Sequence, residues 1–277
     1  MPLRDPPKRG RGRPRAAAPQ SRATTIQALD RGAMLLRALA DDGRATLSEL
    51  ALRLDMPAST AHRILATLQV HRLVDFSAAT QEWRIGVEAF RIGSAFSRDD
   101  KLLEIGREVM HALVEQCGET ANLAIADDGE VVFLSQVDTP HPIRAFFSAG
   151  TRAPMHSSGI GKALLAEMGR REVERILQRR GLSGFTPNTL TSEQALFADL
   201  RVTRQRGWSL DDEERHTGMR CIAAPVFNQW GEAVAGLSVS GPTQRLGDAV
   251  LDAVAAAVCA AARELTLRSG GKPRDGS

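Results

Sequence analysis

Thr46 to Val74 reads TLSELALRLDMPASTAHRILATLQVHRLV. Leu47, Leu50, Ala51 and Leu54 recur at i, i+3, i+4 and i+7, which predicts one apolar face of a short helix. Asp55 to Ala58 breaks it, because Pro57 cannot continue that helix but suits the start of another. Ala58 to Val70 is then a second helix, with Ala61, Ile64, Leu65 and Leu68 as its buried stripe. Ser59, Thr60, His62, Arg63, Thr67 and Gln69 are left on its polar faces. Two helices, a tight turn and a polar second helix make the helix-turn-helix pattern, in which the second helix lies in a DNA groove. An ordinary helical hairpin with a solvated surface gives the same pattern, so the flanks have to decide.

Upstream, Thr24 to Ala40 reads as an amphipathic helix on Ile26, Leu29, Ala33, Leu36 and Ala40, capped by Thr24 or Thr25. Downstream, Leu73 to Phe76 and Glu82 to Ile85 are short strands around a turn at Ser77 to Gln81. Three helices and this hairpin complete a winged DNA-binding module over residues 24–86. Val87 to Phe96 reads as a linker helix, within a linker of residues 87–98. Residues 1–22 are a basic Pro/Gly/Arg-rich arm, expected to be disordered. Its Arg11-Gly12-Arg13-Pro14-Arg15 resembles a hook for narrow minor grooves. A solubilising tail with non-specific phosphate affinity explains it as well or better. Net charge is +6 over residues 1–22, +1 over residues 23–98 and −4 over residues 99–277. Basic character therefore collects beside the helix-turn-helix, as expected if one end meets phosphate and the other does not.

The remaining length suffices for a second domain over residues 99–268. Helices are predicted at Asp99–Cys117, Gly159–Met168, Arg171–Arg179, Ser192–Gln205 and Ala249–Leu267. Strands are predicted at Thr120–Ala126, Glu130–Val137, Ile143–Ser148, Trp208–Asp211, Met219–Asn228 and Glu232–Ser240. Hairpin signals such as Asp127-Asp128-Gly129 outnumber β-α-β signals, so the fold class is α+β with a mostly antiparallel sheet. Residues 269–277 read as a loose tail. The three cysteines are an odd number, far apart and without a C-x-x-C, so neither disulfides nor a zinc site are expected. A cytoplasmic location follows from a reducing environment. The run Ala249 to Ala262 is too short to cross a bilayer and contains Asp252. The basic amino terminus has no apolar stretch behind it and is not a secretory signal.

Candidate chemistry is thinner. Gly150 to Ala163, GTRAPMHSSGIGKA, fails the phosphate-loop pattern, since His156 stands where the first Gly belongs and Ala163 follows the Lys. What survives is a Ser/Gly-rich turn opening a helix at Gly159, where free N–H groups favour an anion. A plain helix start capped by Ser157 or Ser158 accounts for it more often. On the strand ending at Ser240, period 2 puts Val234, Gly236, Ser238 and Ser240 on one face and Ala235, Leu237 and Val239 on the other. If Ser238 and Ser240 are buried they need partners. Cys221 is most simply a small buried residue. A thiol hydrolase using Cys221 with His216, His156 or His141 lacks any local signature. The acidic run Asp211 to Glu214 reads as a loop with most carboxylates in solvent, not a metal site.

The order of these parts resembles the IclR family of bacterial transcriptional regulators over residues 24–268. The carrying motifs are LSELALRLDMPASTAHRILATL, MHSSGIGKALLA and GMRCIAAPVFNQWGEAVAGLSVSGPTQRL. The resemblance implies a winged helix-turn-helix, a linker helix and a GAF-like effector domain, in a homodimer or a tetrameric dimer of dimers. It implies operator DNA and a small metabolite as partners, with no cofactor. The late block is most similar to glyoxylate-responsive members, such as the allantoin-utilisation repressor and the regulator of the β-hydroxyaspartate cycle. From these the effector site carries over to Asp211, Cys221, Ser238 and Ser240, with backbone donors at Gly159 and Ile160. The expectation is a regulator of a metabolic gene cluster, nucleoid-associated when on its operator. Its affinity for DNA would be set by glyoxylate, or alternatively by pyruvate or an aromatic acid. Ser59, Thr60, His62 and Arg63 are the expected DNA contacts, with the wing near Thr80 against the backbone.

Overall fold

In a computed structural model the described residues, 25–97, 101–145 and 147–274, form two compact units divided between Arg98 and Asp99. The basic arm of residues 1–22 lies outside the described residues. The first unit opens with helix α1 (Gln27–Asp42), then a short strand β1 (Ala45–Thr46), α2 (Leu47–Arg53) and α3 (Ala58–Val70). Strands β2 (Val74–Ser77) and β3 (Glu82–Ile85) follow, then α4 (Val87–Ser97). Thr46 and Glu49 start α2 with a reciprocal cap: the Thr46 N–H donates to Glu49 Oε2 at 2.7 Å and the Glu49 N–H to Thr46 Oγ1 at 3.3 Å. Between α2 and α3 the chain turns at Asp55, whose φ is 45°. Leu50, Ala61 and Leu65 are buried as the spacing requires, and Leu47, Leu54, Ile64 and Leu68 pack around them. Antiparallel pairing of β3 with both β2 and β1 makes the wing a three-stranded sheet.

Helix α1 differs from expectation. Its N-cap position is Ile26, one residue past the expected Thr25, and Ile26 has no polar side chain to cap with; Thr24 lies outside the described residues. The face buried in the unit is Gly32, Leu35, Ala38 and Leu39. Ile26, Leu29, Ala33 and Ala40 of the expected stripe are exposed. The helix has apolar residues on two faces, and periodicity alone chose the one that its own unit leaves open.

In the second unit α5 (Lys101–Cys117) leads into β4 (Thr120–Asp127) and β5 (Glu130–Val137). A loop and β6 (Arg152–Pro154) precede a single turn at Met155–Ser157, then α6 (Gly159–Glu167), α7 (Arg170–Arg180) and α8 (Glu193–Arg206). The chain ends on β7 (Ser209–Asp212), β8 (Met219–Phe227), β9 (Ala233–Pro242) and α9 (Asp248–Arg268). The strands form one antiparallel sheet in the order β6-β5-β4-β9-β8-β7. One face of this sheet carries Leu237, Val239 and Ile222 against α5 and α9. The other carries Ala124 and Ala223 against α6, α7 and α8. The architecture is thus α+β, with helices on both faces of the sheet.

A strand was expected at Ile143 to Ser148, and residues 143–145, 147 and 148 are not in one; β6 comes later. Gln136 takes the bonds a neighbouring strand would have made. Its Nε2 donates to Ala145 O at 2.8 Å, and the Phe147 N–H donates to its Oε1 at 2.7 Å. The loose tail is also corrected through residue 274. The Gly271 N–H donates to Thr266 O and the Lys272 N–H to Asn228 O, while Arg274 pairs with Glu167.

Candidate functional site

Sheet register gathers the scattered polar residues. Asp211 on β7 lies directly opposite Cys221 on β8, and Cys221 directly opposite Ser240 on β9. The next row on the same face runs Ser209, Ala223, Ser238 and, on β4, Asn122. Period 2 holds along β9, with Gly236, Ser238 and Ser240 on this face and Ala235, Leu237 and Val239 in the opposite core.

The start of α6 closes over these rows. Its close approach requires two glycines. A Cβ on Gly159 would meet Cys221 Sγ at 2.7 Å, and one on Gly236 would meet Ile160 Cγ2 at 2.6 Å. Ser158 is the cap, its Oγ accepting from the Gly161 N–H at 3.0 Å. The first-turn N–H groups of Gly159 and Ile160 lie before the point where intrahelical bonding begins. Between helix start and sheet is a cavity of about 230 Å³, lined among others by Gly159, Ile160, Asp211, Cys221, Ser238 and Ser240. All six effector residues named from the sequence therefore share one cavity. Phe133 and Phe147, stacked with centroids 4.2 Å apart, form another part of its wall. Arg144, Arg215 and Arg220 also line it, with Arg144 paired to Asp138 and Arg220 to Asp212 and Asp248.

Larger cavities exist elsewhere, between α9 and the end of β8 and in an open groove along α8. Neither contains the row of serines, thiol and carboxylate, so size alone does not select the site.

The acidic run is not solvated as expected. Asp211 and Glu214 are buried, and Asp211 Oδ1 accepts from the Glu214 N–H at 2.7 Å. The reason is Lys162, wholly buried in α6, which pairs with Glu214 and lies 3.2 Å from Asp199 Oδ2. Asp212 turns the other way to Arg220, with Oδ1 2.6 Å from its Nε. Burial pushes the Asp211 carboxyl up to about 6, against the Glu214 N–H and the charge of Lys162. Burial likewise pushes Glu214 up to about 7, outweighing Lys162. Both groups hold their protons more tightly in the fold than their ordinary values of 3.8 and 4.5. Their contribution to stability is therefore full below about pH 4 and lost as pH rises through about 6 and 7. Denaturant midpoints of the chain are expected to carry a component that falls over this window, reduced in Asp211→Asn. A slope unchanged by that substitution would contradict the assignment.

Cys221 is unsuited to thiolate chemistry. Burial, then the Asp211 charge, pushes its thiol up to about 11, against hydrogen bonding from Ser240, Ser238 and Gly159. His156 is buried elsewhere with Nε2 2.9 Å from Ser183 O, His141 is exposed, and His216 stands at the wall of the cavity, itself exposed. No Cys–His pair of the kind a thiol hydrolase needs is formed among these residues.

In the first unit α3 presents Ser59, His62 and Arg63 exposed and Thr60 half-buried. Thr67 Oγ1 donates to Arg63 O at 2.9 Å and does not compete for the Arg63 guanidinium. Missed from the sequence were Asn122, Lys162 and Glu214. Asn122 had a signal: it is a lone amide in the otherwise apolar stretch Ala121 to Ala126.

Among the described residues no helix is long and apolar enough to cross a membrane. A family profile described as "Bacterial transcriptional regulator IclR C-terminal" matches residues 96–267, and one described as "IclR helix-turn-helix domain" matches residues 28–77. The chain is 50% identical over 262 residues to the HTH-type transcriptional regulator BhcR of Paracoccus denitrificans, covering 94% of each. It is 36% identical over 239 residues to the HTH-type transcriptional repressor AllR of Escherichia coli, covering 86% of this chain and 88% of that one. A crystal structure of an IclR homolog complexed with 4-hydroxybenzoate, from Microbacterium hydrocarbonoxydans, shares the fold. Its TM-score is 0.77 at 23% identity, over 88% of this chain and 99% of that one. With both halves matched and relatives named as regulators and repressors, the chain belongs to the IclR family: it is a DNA-binding transcriptional regulator with a small-molecule effector domain, not an enzyme.

Proposed function

We propose that the effector is a small 2-oxo acid, glyoxylate first, and that it controls affinity for the operator of a metabolic gene cluster. The observation that carries this reading is the row Ser240–Cys221–Asp211 facing the start of α6 across a cavity of about 230 Å³. A carboxylate at the Gly159 and Ile160 N–H groups gains both donors and the helix dipole. Ser238 and Ser240 donate to its remaining oxygens. Asp211 accepts from the hydroxyls of a hydrated aldehyde, a role a simple carboxylate ligand would not fill. Similarity to BhcR and AllR supports the regulatory half of this reading; the choice of glyoxylate rests on the cavity's groups and on the resemblance of the late block to glyoxylate-responsive members. A relative complexed with 4-hydroxybenzoate, together with the Phe133–Phe147 stack, makes an aromatic acid the second reading. Calorimetry with glyoxylate, pyruvate, 4-hydroxybenzoate and allantoin separates them. Tight binding of glyoxylate is the expected result, and binding of the aromatic acid alone would replace it.

On DNA, α3 enters the major groove with Ser59, Thr60, His62 and Arg63 as its contacts and the wing near Thr80 on the backbone. Arg63→Ala is expected to weaken operator binding by about 1–3 kcal/mol in a gel-shift titration at fixed salt, a typical loss for a base-reading arginine. Unchanged affinity would remove Arg63 from the interface. Exposed Ile26 at the cap of α1 and Leu29 on it, and Val87, Phe90, Ile92 and Phe96 on α4, support a homo-oligomer, a dimer or a dimer of dimers.

A further inference from the structure

Asn122 stands behind the two serines, in register with Ser238. It is wholly buried, as is Ser238, and Ser240 is nearly so. Its Nδ2 donates to Ser238 Oγ at 3.4 Å and to Ser240 Oγ at 3.3 Å. Its Oδ1 is buried and has no partner among the described residues. An amide nitrogen can only donate, so each serine oxygen spends acceptor capacity on Asn122 and keeps its own proton to give away. Turning the amide over would leave two buried N–H donors unpaired instead of one carbonyl, and unpaired N–H groups are the rarer and costlier case. Both serines hydrogen-bond toward Cys221, and a thiol sulfur accepts weakly. A carboxylate or oxo oxygen in the cavity outcompetes it.

We propose that Asn122 is a positioning residue that fixes Ser238 and Ser240 as proton donors toward the cavity, and so makes the site prefer an anionic ligand over its neutral analogue. The proposal rests on the 2-oxo acid reading of the site. Asn122 touches no ligand itself. It acts by denying the serines the alternative orientation in which their lone pairs face the ligand. An aspartate here reverses the arrangement: the carboxylate only accepts, the serines turn their protons to it, and a charge is added behind the pocket.

The test compares glyoxylate with uncharged glyoxylamide, by calorimetry on the full chain at pH 8. The wild type is expected to prefer glyoxylate. Asn122→Ala is expected to bind glyoxylate about tenfold more weakly and Asn122→Asp about 100-fold, as expected when charge-assisted bonds are lost. Glyoxylamide should weaken only a few-fold in either variant, so the preference for the anion collapses. A cooperative denaturant unfolding transition of the full chain, close to that of the wild type, reports that the effector unit of each variant is folded, and Asn122→Ala carries the test alone if the aspartate does not fold. A variant that keeps the wild-type preference overturns the proposal. So does equal weakening of both ligands, which a merely structural role predicts. Failure of the underlying reading shows differently, as wild-type protein that binds no 2-oxo acid, and removes both.

Discussion

Replacing Ser238 and Ser240 together with alanine is expected to weaken binding of glyoxylate by about 100-fold, and each alone by about tenfold. Both hydroxyls lie on the face of β9 that lines the cavity, and both are buried. Bonds from buried hydroxyls to an anion are charge-assisted and stronger than neutral ones. Alanine opens little space there, and Ala223 already stands beside Ser238 in the same row. The fold should survive, although Asn122 loses the acceptors of its amide at a cost of about 1–3 kcal/mol in stability. Calorimetry on the full chain measures the loss, with the denaturant unfolding transition of each variant as the control for folding of the effector unit. Affinity within about threefold of wild type would show that the serines do not hold the ligand.

The second large effect is on stability. Lys162→Met is expected to destabilise the effector domain by about 3–5 kcal/mol, the usual cost of removing one partner of a buried ion pair. That is a large part of the roughly 5–15 kcal/mol available to a domain. The Lys162 side chain is fully buried, and Glu214, its partner, is nearly so. Without the ammonium, Glu214 is left beside Asp211 with no compensating charge. Glu214 already holds its proton up to about pH 7, so the deficit should shrink in acid, where the carboxyl is neutral, and grow as pH rises. Denaturant unfolding of Lys162→Met at low and neutral pH reads both size and sign. Glu214→Gln in the Lys162→Met background should recover part of the loss. A deficit independent of pH, or below about 1 kcal/mol, would place the worth of Lys162 in its packing.

Much of this was legible in the sequence because it rests on local periodicity. The turn at Pro57 and the stripe Ala61, Ile64, Leu65 and Leu68 are short-range signals, and α3 runs over Ala58–Val70 as read. Alternation along β9 gave the facing of Ser238 and Ser240 for the same reason. What could not be read is set by register and by distant partners. Asp211, Cys221 and Ser240 are neighbours only because β7, β8 and β9 pair without slipping by one residue. The burial of Glu214 depends on Lys162, far away in the chain, and a run of four acids looks solvated until a buried cation appears beneath it. Residues 143–148 have the composition of a strand, but the Gln136 side chain took up the Ala145 carbonyl and the Phe147 N–H. Helix α1 carries apolar residues on two faces, and nothing in its own sequence says which one its unit buries.

On the proposal made above, the cavity under α6 takes a small 2-oxo acid and thereby alters DNA binding. Linkage requires that a ligand which changes operator affinity bind the two forms of the protein unequally. The direct measurement is the dissociation constant of the full chain for its operator, at fixed salt, titrated with glyoxylate. A shift of about tenfold or more, absent in Ser238→Ala/Ser240→Ala, is the result expected. An operator affinity that does not move at any glyoxylate concentration, or that moves equally in the double variant, would contradict it.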